Sequence, residues 1–264
     1  MASGLKQAVL AYILIGLIIG VGIGTAIGYF MVAPVIPPAP QVQKIKAGFI
    51  YVGPIGDYGW THAHDRGRKI VDEMFDWLDT VYVESVEEAK CRDVIEQLIS
   101  EGCTVIFTTS FGFMDPTLEA AKAHPDIIFF HCSGYKRWKN MGTYFADFYQ
   151  LYYLNGLMAG ALTKTGKAGY VAAHLIPEVI RHINAFAIGF AEAAKQRGFT
   201  NPKVYVKVIG AWYDPDKATE LAKSLVEDGC DVLVFTEDSP AVIQYCQKLF
   251  EDEGKMVYTF AHYS

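Results

Sequence analysis

Short apolar runs recur along this chain after position 44, and each is broken by glycine, proline or acidic residues. The runs fall at 47–52, 81–84, 104–108, 127–131, 168–173, 204–209, 231–235 and 256–260. Each has the length and the β-branched or aromatic content of a buried strand. Apolar residues at three- and four-residue spacing fill most of the intervals, notably 86–100, 183–197, 217–228 and 241–253. That spacing predicts amphipathic helices. Strand and helix in alternation predict parallel sheets covered by helices on both faces.

Before position 44 the pattern changes. No charged residue occurs from Gln7 to Gln43, and 8–33 is almost wholly apolar. That stretch exceeds the ~20 residues a helix needs to cross a bilayer. It is longer than the core of a cleavable signal peptide, and no cysteine precedes Cys91 to carry a lipid. The expectation is a single-pass N-terminal membrane anchor over 1–33. The few flanking lysines, Lys6 against Lys44 and Lys46, barely set its orientation. Gly16, Gly20, Gly24 and Gly28 share one helical face, a stripe that permits a homodimer in the membrane. Pro34, Pro37, Pro38 and Pro40 predict a stiff spacer over 34–44.

The eight predicted strands divide into two series of four. Residues 98–106 echo 225–233, with Gly102 and Gly229 as helix-ending residues in both. Gly142 to Phe148 fits neither series and reads as a crossover, giving one lobe at 45–143 and a second at 144–264. A net charge of −6 argues against nucleic acid as a partner. Cys91, Cys103, Cys132, Cys230 and Cys246 form no C-x-x-C pair, so neither a metal site nor a disulfide framework is read from them.

Candidate chemistry follows from topology, because parallel sheets bind ligands beyond the carboxyl ends of their strands. The loops there are 53–61, 110–115, 174–178, 210–214 and 236–239. They carry Asp57, Tyr58 and Trp60; Phe111 and Phe113; Trp212, Tyr213 and Asp214; and Glu237, Asp238 and Ser239. Aromatics and carboxylates from both series suit a flat heterocycle with hydrogen-bond donors. Three other readings compete. His62 and His64 form an H-x-H pair like the metal pair of amidohydrolases, but at that spacing on a helix the two side chains point to different faces. Gly53 to Gly59 mimics a dinucleotide turn without the required spacing. Asp57 and the 237–238 pair are also placed to cap the helices they precede.

The order of these motifs resembles the basic-membrane-protein family, the purine-nucleoside receptors of ABC importers. The residues that carry the resemblance are Gly53 to Asp57 with Gly59, Trp60 and Thr61, then His64-Asp65, Ser110 to Phe113, Tyr153 to Gly160, Trp212 to Pro215, and Asp238 to Ala241. The resemblance implies a periplasmic-binding type I fold of two lobes, no enzymatic activity and no cofactor. It implies Trp60 and Trp212 as a base sandwich, Asp57 and Asp238 as polar anchors, and Phe111 and Phe113 as lining. Tyr58, Thr61 and Asp214 complete the candidate set. The implied partners are a purine nucleoside or base, an ABC permease with its ATPase, and the membrane that holds the soluble part outside the cytoplasm. A sensor signalling through a partner protein is the alternative. Relative to the family, the second lobe is expected to be incomplete, with a ribose-contacting Asp and a return crossover falling beyond Ser264.

Overall fold

The computed structural model describes the backbone of residues 2–32 and 44–262, and side chains at 10, 12–26 and 44–262. The chain forms two compact units, residues 1–43 and residues 44–264. The first is helix α1 (Ala2–Val32). Its described side chains are exposed, including Leu14, Ile18 and Val21. A methyl group added at Gly16, Gly20 or Gly24 would meet nothing within 4 Å. The surroundings of Gly28, and all of the proline spacer before Lys44, lie outside the described residues. Among the described residues no helix is long and apolar enough to cross a membrane.

The second unit begins with β1 (Ile45–Ile50), α2 (Trp60–Met74), β2 (Leu78–Val83), α3 (Cys91–Ser100), β3 (Val105–Thr108), α4 (Met114–Ala123), β4 (Ile128–Cys132) and β5 (Met141–Tyr144). Its five strands form one sheet in the order β2-β1-β3-β4-β5, parallel throughout. There follow α5 (Tyr149–Leu162), β6 (Lys167–Ala172), α6 (Pro177–Gln196), β7 (Lys203–Val208), α7 (Pro215–Glu227), β8 (Val232–Thr236), α8 (Ala241–Glu253) and β9 (Tyr258–Phe260). These strands form a second parallel sheet in the order β7-β6-β8-β9. Each of the eight expected apolar runs supplies a strand. The segment read as a crossover instead begins with a ninth strand, β5, which pairs Phe130 with Gly142 and Cys132 with Tyr144.

The repeat between 98–106 and 225–233 has a physical basis. Gly102 and Gly229 both take left-handed backbone conformations, at φ +91 and +90. In both copies the helix ends with the same pair of hydrogen bonds: Gly102 N to Ile99 O and Cys103 N to Leu98 O, against Gly229 N to Val226 O and Cys230 N to Leu225 O. Leu98, Cys103, Leu225 and Cys230 are all buried. This double closure satisfies the last helical carbonyls and turns the chain straight into a strand.

Helices α5 and α6 pack with their backbones almost touching. A Cβ at Gly156 would sit 2.2 Å from Phe186 O, one at Gly160 2.5 Å from Phe190 O, and one at Gly189 2.3 Å from Tyr153 O. Buried Phe186, Phe190, Tyr170 and Val234 then fill the layer between these helices and the second sheet. The opposite face of that sheet closes over Val171, Leu225, Leu233, Val242 and Leu249. In the first sheet, Ile50, Ile95, Leu98, Ile106, Phe113 and Phe129 form the corresponding core. All five cysteines are free and buried.

Candidate functional site

The turn after β1 is held by one carboxylate. Asp57 Oδ1 accepts from Gly59 N at 2.8 Å and His62 N at 2.9 Å, and its Oδ2 accepts from Thr61 N at 3.0 Å. Three backbone donors at the start of α2 are thereby satisfied. Thr61 Oγ1 in turn accepts from Gly53 N at 3.2 Å. The indole of Trp60, at the first position of α2 and only 8% exposed, donates through Nε1 to Thr109 O at the end of β3. His64 meets the Trp60 ring edge-on, with centroids 4.5 Å apart.

The facing wall comes from the second sheet. Trp212, in the loop after β7, is half-buried, and its ring meets His174 edge-on at 4.9 Å. Trp212 O accepts from Asp238 N at 2.9 Å, which ties the loop after β7 to the loop after β8. Asp214 caps α7 by accepting from Lys217 N at 3.0 Å. Glu237 is occupied within its own loop, accepting from Ser239 N and Ser239 Oγ.

The two walls meet. Val52, Trp60, Ser110, Phe111 and Ser133 from the first sheet's loops, and Glu178, Trp212 and Asp238 from the second's, line one crevice. Its cavity volume is ≈ 10 Å³, room for about one water. A planar ligand therefore enters only if the walls part. Two contacts hold them together. Ser133 Oγ donates to Glu178 Oε2. A Cβ at Gly59 would lie 3.0 Å from Asp238 Cα and O, a tight contact that glycine relieves where the two backbones approach. A wider cavity of ≈ 440 Å³ adjoins the crevice at Val52 and Trp212, with Ser85, Glu87, Glu88 and Tyr213 among its lining.

The electrostatics are one-sided. Burial, with Asp57, Glu237 and Glu178 nearby, holds the Asp238 carboxyl well above the usual aspartate range. Burial pushes Glu178 up to about 7, opposed by Ser133 and Arg181. Burial likewise takes Glu237 to about 7, with Asp214 and Asp57 adding to the rise. His64 is pushed down to about 4 by burial.

Four of the residues expected from sequence, Trp60, Phe111, Trp212 and Asp238, line this crevice together. Asp57 and Thr61 stand behind the Trp60 wall as the turn's internal fastenings. Asp214 lies at the start of α7. Tyr58 projects outward, 67% exposed with φ +58, beside His62. Phe113 is fully buried in the first sheet's core, because the single turn over Phe111–Phe113 sends the two rings to opposite sides. Sequence named no role for Val52, Ser110, Ser133 or Glu178. The available signal was the placing of 110–115 and 174–178 at strand ends.

The amidohydrolase reading needs eight strands in one closed barrel, whereas the strands form two separate open sheets. His62 turns its Nδ1 to Ile55 O at 3.2 Å while His64 packs on Trp60. Among the described residues no group of three or more His, Cys, Asp or Glu is placed to hold a metal ion.

Known proteins place this arrangement. A purine-binding protein of Brucella abortus is 42% identical over 206 residues, covering 76% of this chain and 57% of its own. A relative from Haloferax volcanii, whose given name assigns it glucose binding in an ABC transporter, is 41% identical over 204 residues, covering 76% of this chain and 50% of its own. The chain thus spans about half the length of these two relatives. An ABC transporter solute-binding protein from Aeropyrum pernix superposes with a TM-score of 0.74 at 19% identity, covering 81% of this chain and 61% of that one. That likeness shows the fold, the two-lobed periplasmic-binding type I architecture. Residues 44–253 match the family described as Bmp, ABC transporter substrate-binding protein PnrA-like, and the chain belongs to that family.

Proposed function

We propose that this chain is the extracytoplasmic receptor of an ABC importer and that it grips a purine base or nucleoside between Trp60 and Trp212. The observation that carries this reading is the shared crevice: two indoles from different sheets line one narrow space. Stacking on an aromatic face contributes roughly 1–3 kcal/mol per base. Two faces with a few hydrogen bonds reach micromolar affinity, about −8 kcal/mol. The lobes at about 45–143 and 144–264 close on the ligand, which favours the closed state through its added contacts there. The receptor performs no covalent chemistry and hands the ligand to a permease driven by an ATPase. The apolar, uncharged stretch around α1 tethers it to the membrane.

The names of the two relatives set a purine against a sugar. A sugar also stacks on indole, but its hydroxyls need polar partners all round. This crevice offers flat apolar walls and a polar set limited to Ser110, Ser133, Glu178 and Asp238. Calorimetric titration with adenine, adenosine, guanosine, inosine, riboflavin, ribose and glucose separates the readings. Heat from purines and none from sugars is expected; sugar binding with purines silent sinks the proposal.

A further inference from the structure

Two buried carboxyls line the crevice from separate elements: Glu178 from the first turn of α6, and Asp238 from the loop after β8. They are 7% and 2% exposed. Among the described residues the Asp238 carboxyl accepts no hydrogen bond, whereas Glu178 receives Ser133 Oγ on one oxygen. Ser110, also lining the crevice and 3% exposed, has a buried hydroxyl with no partner among the described residues. Buried polar groups without partners are costly, so this edge of the crevice is built for a polar ligand.

We propose that Glu178 is a specificity-determining residue, which with Asp238 reads the hydrogen-bonding edge of the bound base. Glu178 accepts from the exocyclic amine, and Asp238, in its protonated form, donates to the adjacent ring nitrogen. The ligand class is a planar base that presents a donor beside an acceptor, as the amino edge of adenine does. This rests on the reading of the crevice as a purine slot.

The surroundings support the division of roles. Asp238 is faced by Asp57 from the turn before α2, by Glu178 from α6 and by Glu237 on its own loop, each raising it. Glu178 is faced by Ser133 and by Arg181 on its own helix, both favouring its charged form, and it acts in turn on Cys132 of β4. Carboxyls gathered in a buried space do not all ionise together. Burial raises both, but Ser133 and Arg181 oppose the rise at Glu178, whereas every neighbour named at Asp238 adds to it.

Calorimetric titration of the full chain with adenine and with unsubstituted purine, which lacks the amine, tests this. Wild type is expected to prefer adenine about tenfold or more. In Glu178→Gln the preference falls to about threefold or less, with affinity for unsubstituted purine unchanged within about twofold. Asp238→Asn, which still donates, keeps adenine binding, whereas Asp238→Ala loses about tenfold. In wild type the adenine affinity rises several-fold from pH 6 to pH 8, across the value of about 7 to which burial moves Glu178, and stays flat in Glu178→Gln. If that variant fails to fold, the ligand preference and pH profile of wild type decide. Equal binding of adenine and purine by wild type, or an unchanged preference in Glu178→Gln, overturns the proposal. Binding of neither base contradicts the purine slot itself, and the proposal with it.

Discussion

The two walls of the crevice are built on opposite principles. In the turn after β1 every named polar group is bound internally: Asp57 by three backbone donors, Thr61 by Gly53 N, and the Trp60 indole by Thr109 O. In the second sheet's wall Asp238 accepts nothing among the described residues, and Glu178 and Glu237 are raised by burial. The turn after β1 is a finished surface that presents the Trp60 ring. The second sheet's wall keeps hydrogen-bonding capacity open at the crevice. On the proposed reading, stacking falls to Trp60 and Trp212 and polar reading to Glu178 and Asp238.

Trp60→Ala gives the largest expected effect. Removing a buried indole costs about 3–5 kcal/mol of stability, and it also removes one stacking face. Trp212→Ala, at a half-buried ring, leaves the melting temperature within a few degrees of wild type. It still weakens purine binding at least about tenfold, near 1.4 kcal/mol. Thermal denaturation beside calorimetry separates the two, and equal stability losses would erase the contrast between the walls. Asp57→Ala leaves three helix-start donors without their carboxylate and is expected to cost roughly 2–3 kcal/mol. Its preference among purines should not change, and a change would move ligand reading into the first wall.

The pH dependence of stability sharpens the same contrast. Glu178 and Glu237 are raised from 4.5 to about 7 in the fold. Their contribution is complete below the ordinary glutamate value and is lost as pH climbs through about 7. His64, His131 and His182 are pushed down by burial to about 4. Their contribution is complete above the ordinary histidine value of 6.5 and is lost as pH falls towards 4. The two windows overlap between 4.5 and 6.5, where the contributions oppose each other; Glu178→Gln with Glu237→Gln should remove the loss through about 7 and leave the acid limb in place. The smallest effect on melting temperature is expected for Asp238→Asn, because burial and the neighbouring carboxyls already disfavour the charged form of Asp238.

Strands with continuous apolar runs, such as β6 and β8, were legible in sequence because both of their faces are buried. Strand β5, Met-Gly-Thr-Tyr, was not: it is short, contains glycine and sits at a sheet edge. The Trp60, Phe111, Trp212 and Asp238 quartet was legible because topology places strand-end loops together. Glu178 was not, since an acid after proline at a helix start looks like an ordinary helix-end charge. Only the fold shows that it turns towards Ser133 across the lobes. Phe113 misled for a related reason: two phenylalanines one residue apart look equivalent until a single turn sends one into the core.

The most direct test of the opposed-indole slot is a crystal structure of the protein grown with adenine. The base is expected between Trp60 and Trp212, with its amino edge towards Glu178 and Asp238. Adenine seated elsewhere, or the two indoles packed into separate cores with no ligand between them, contradicts the account.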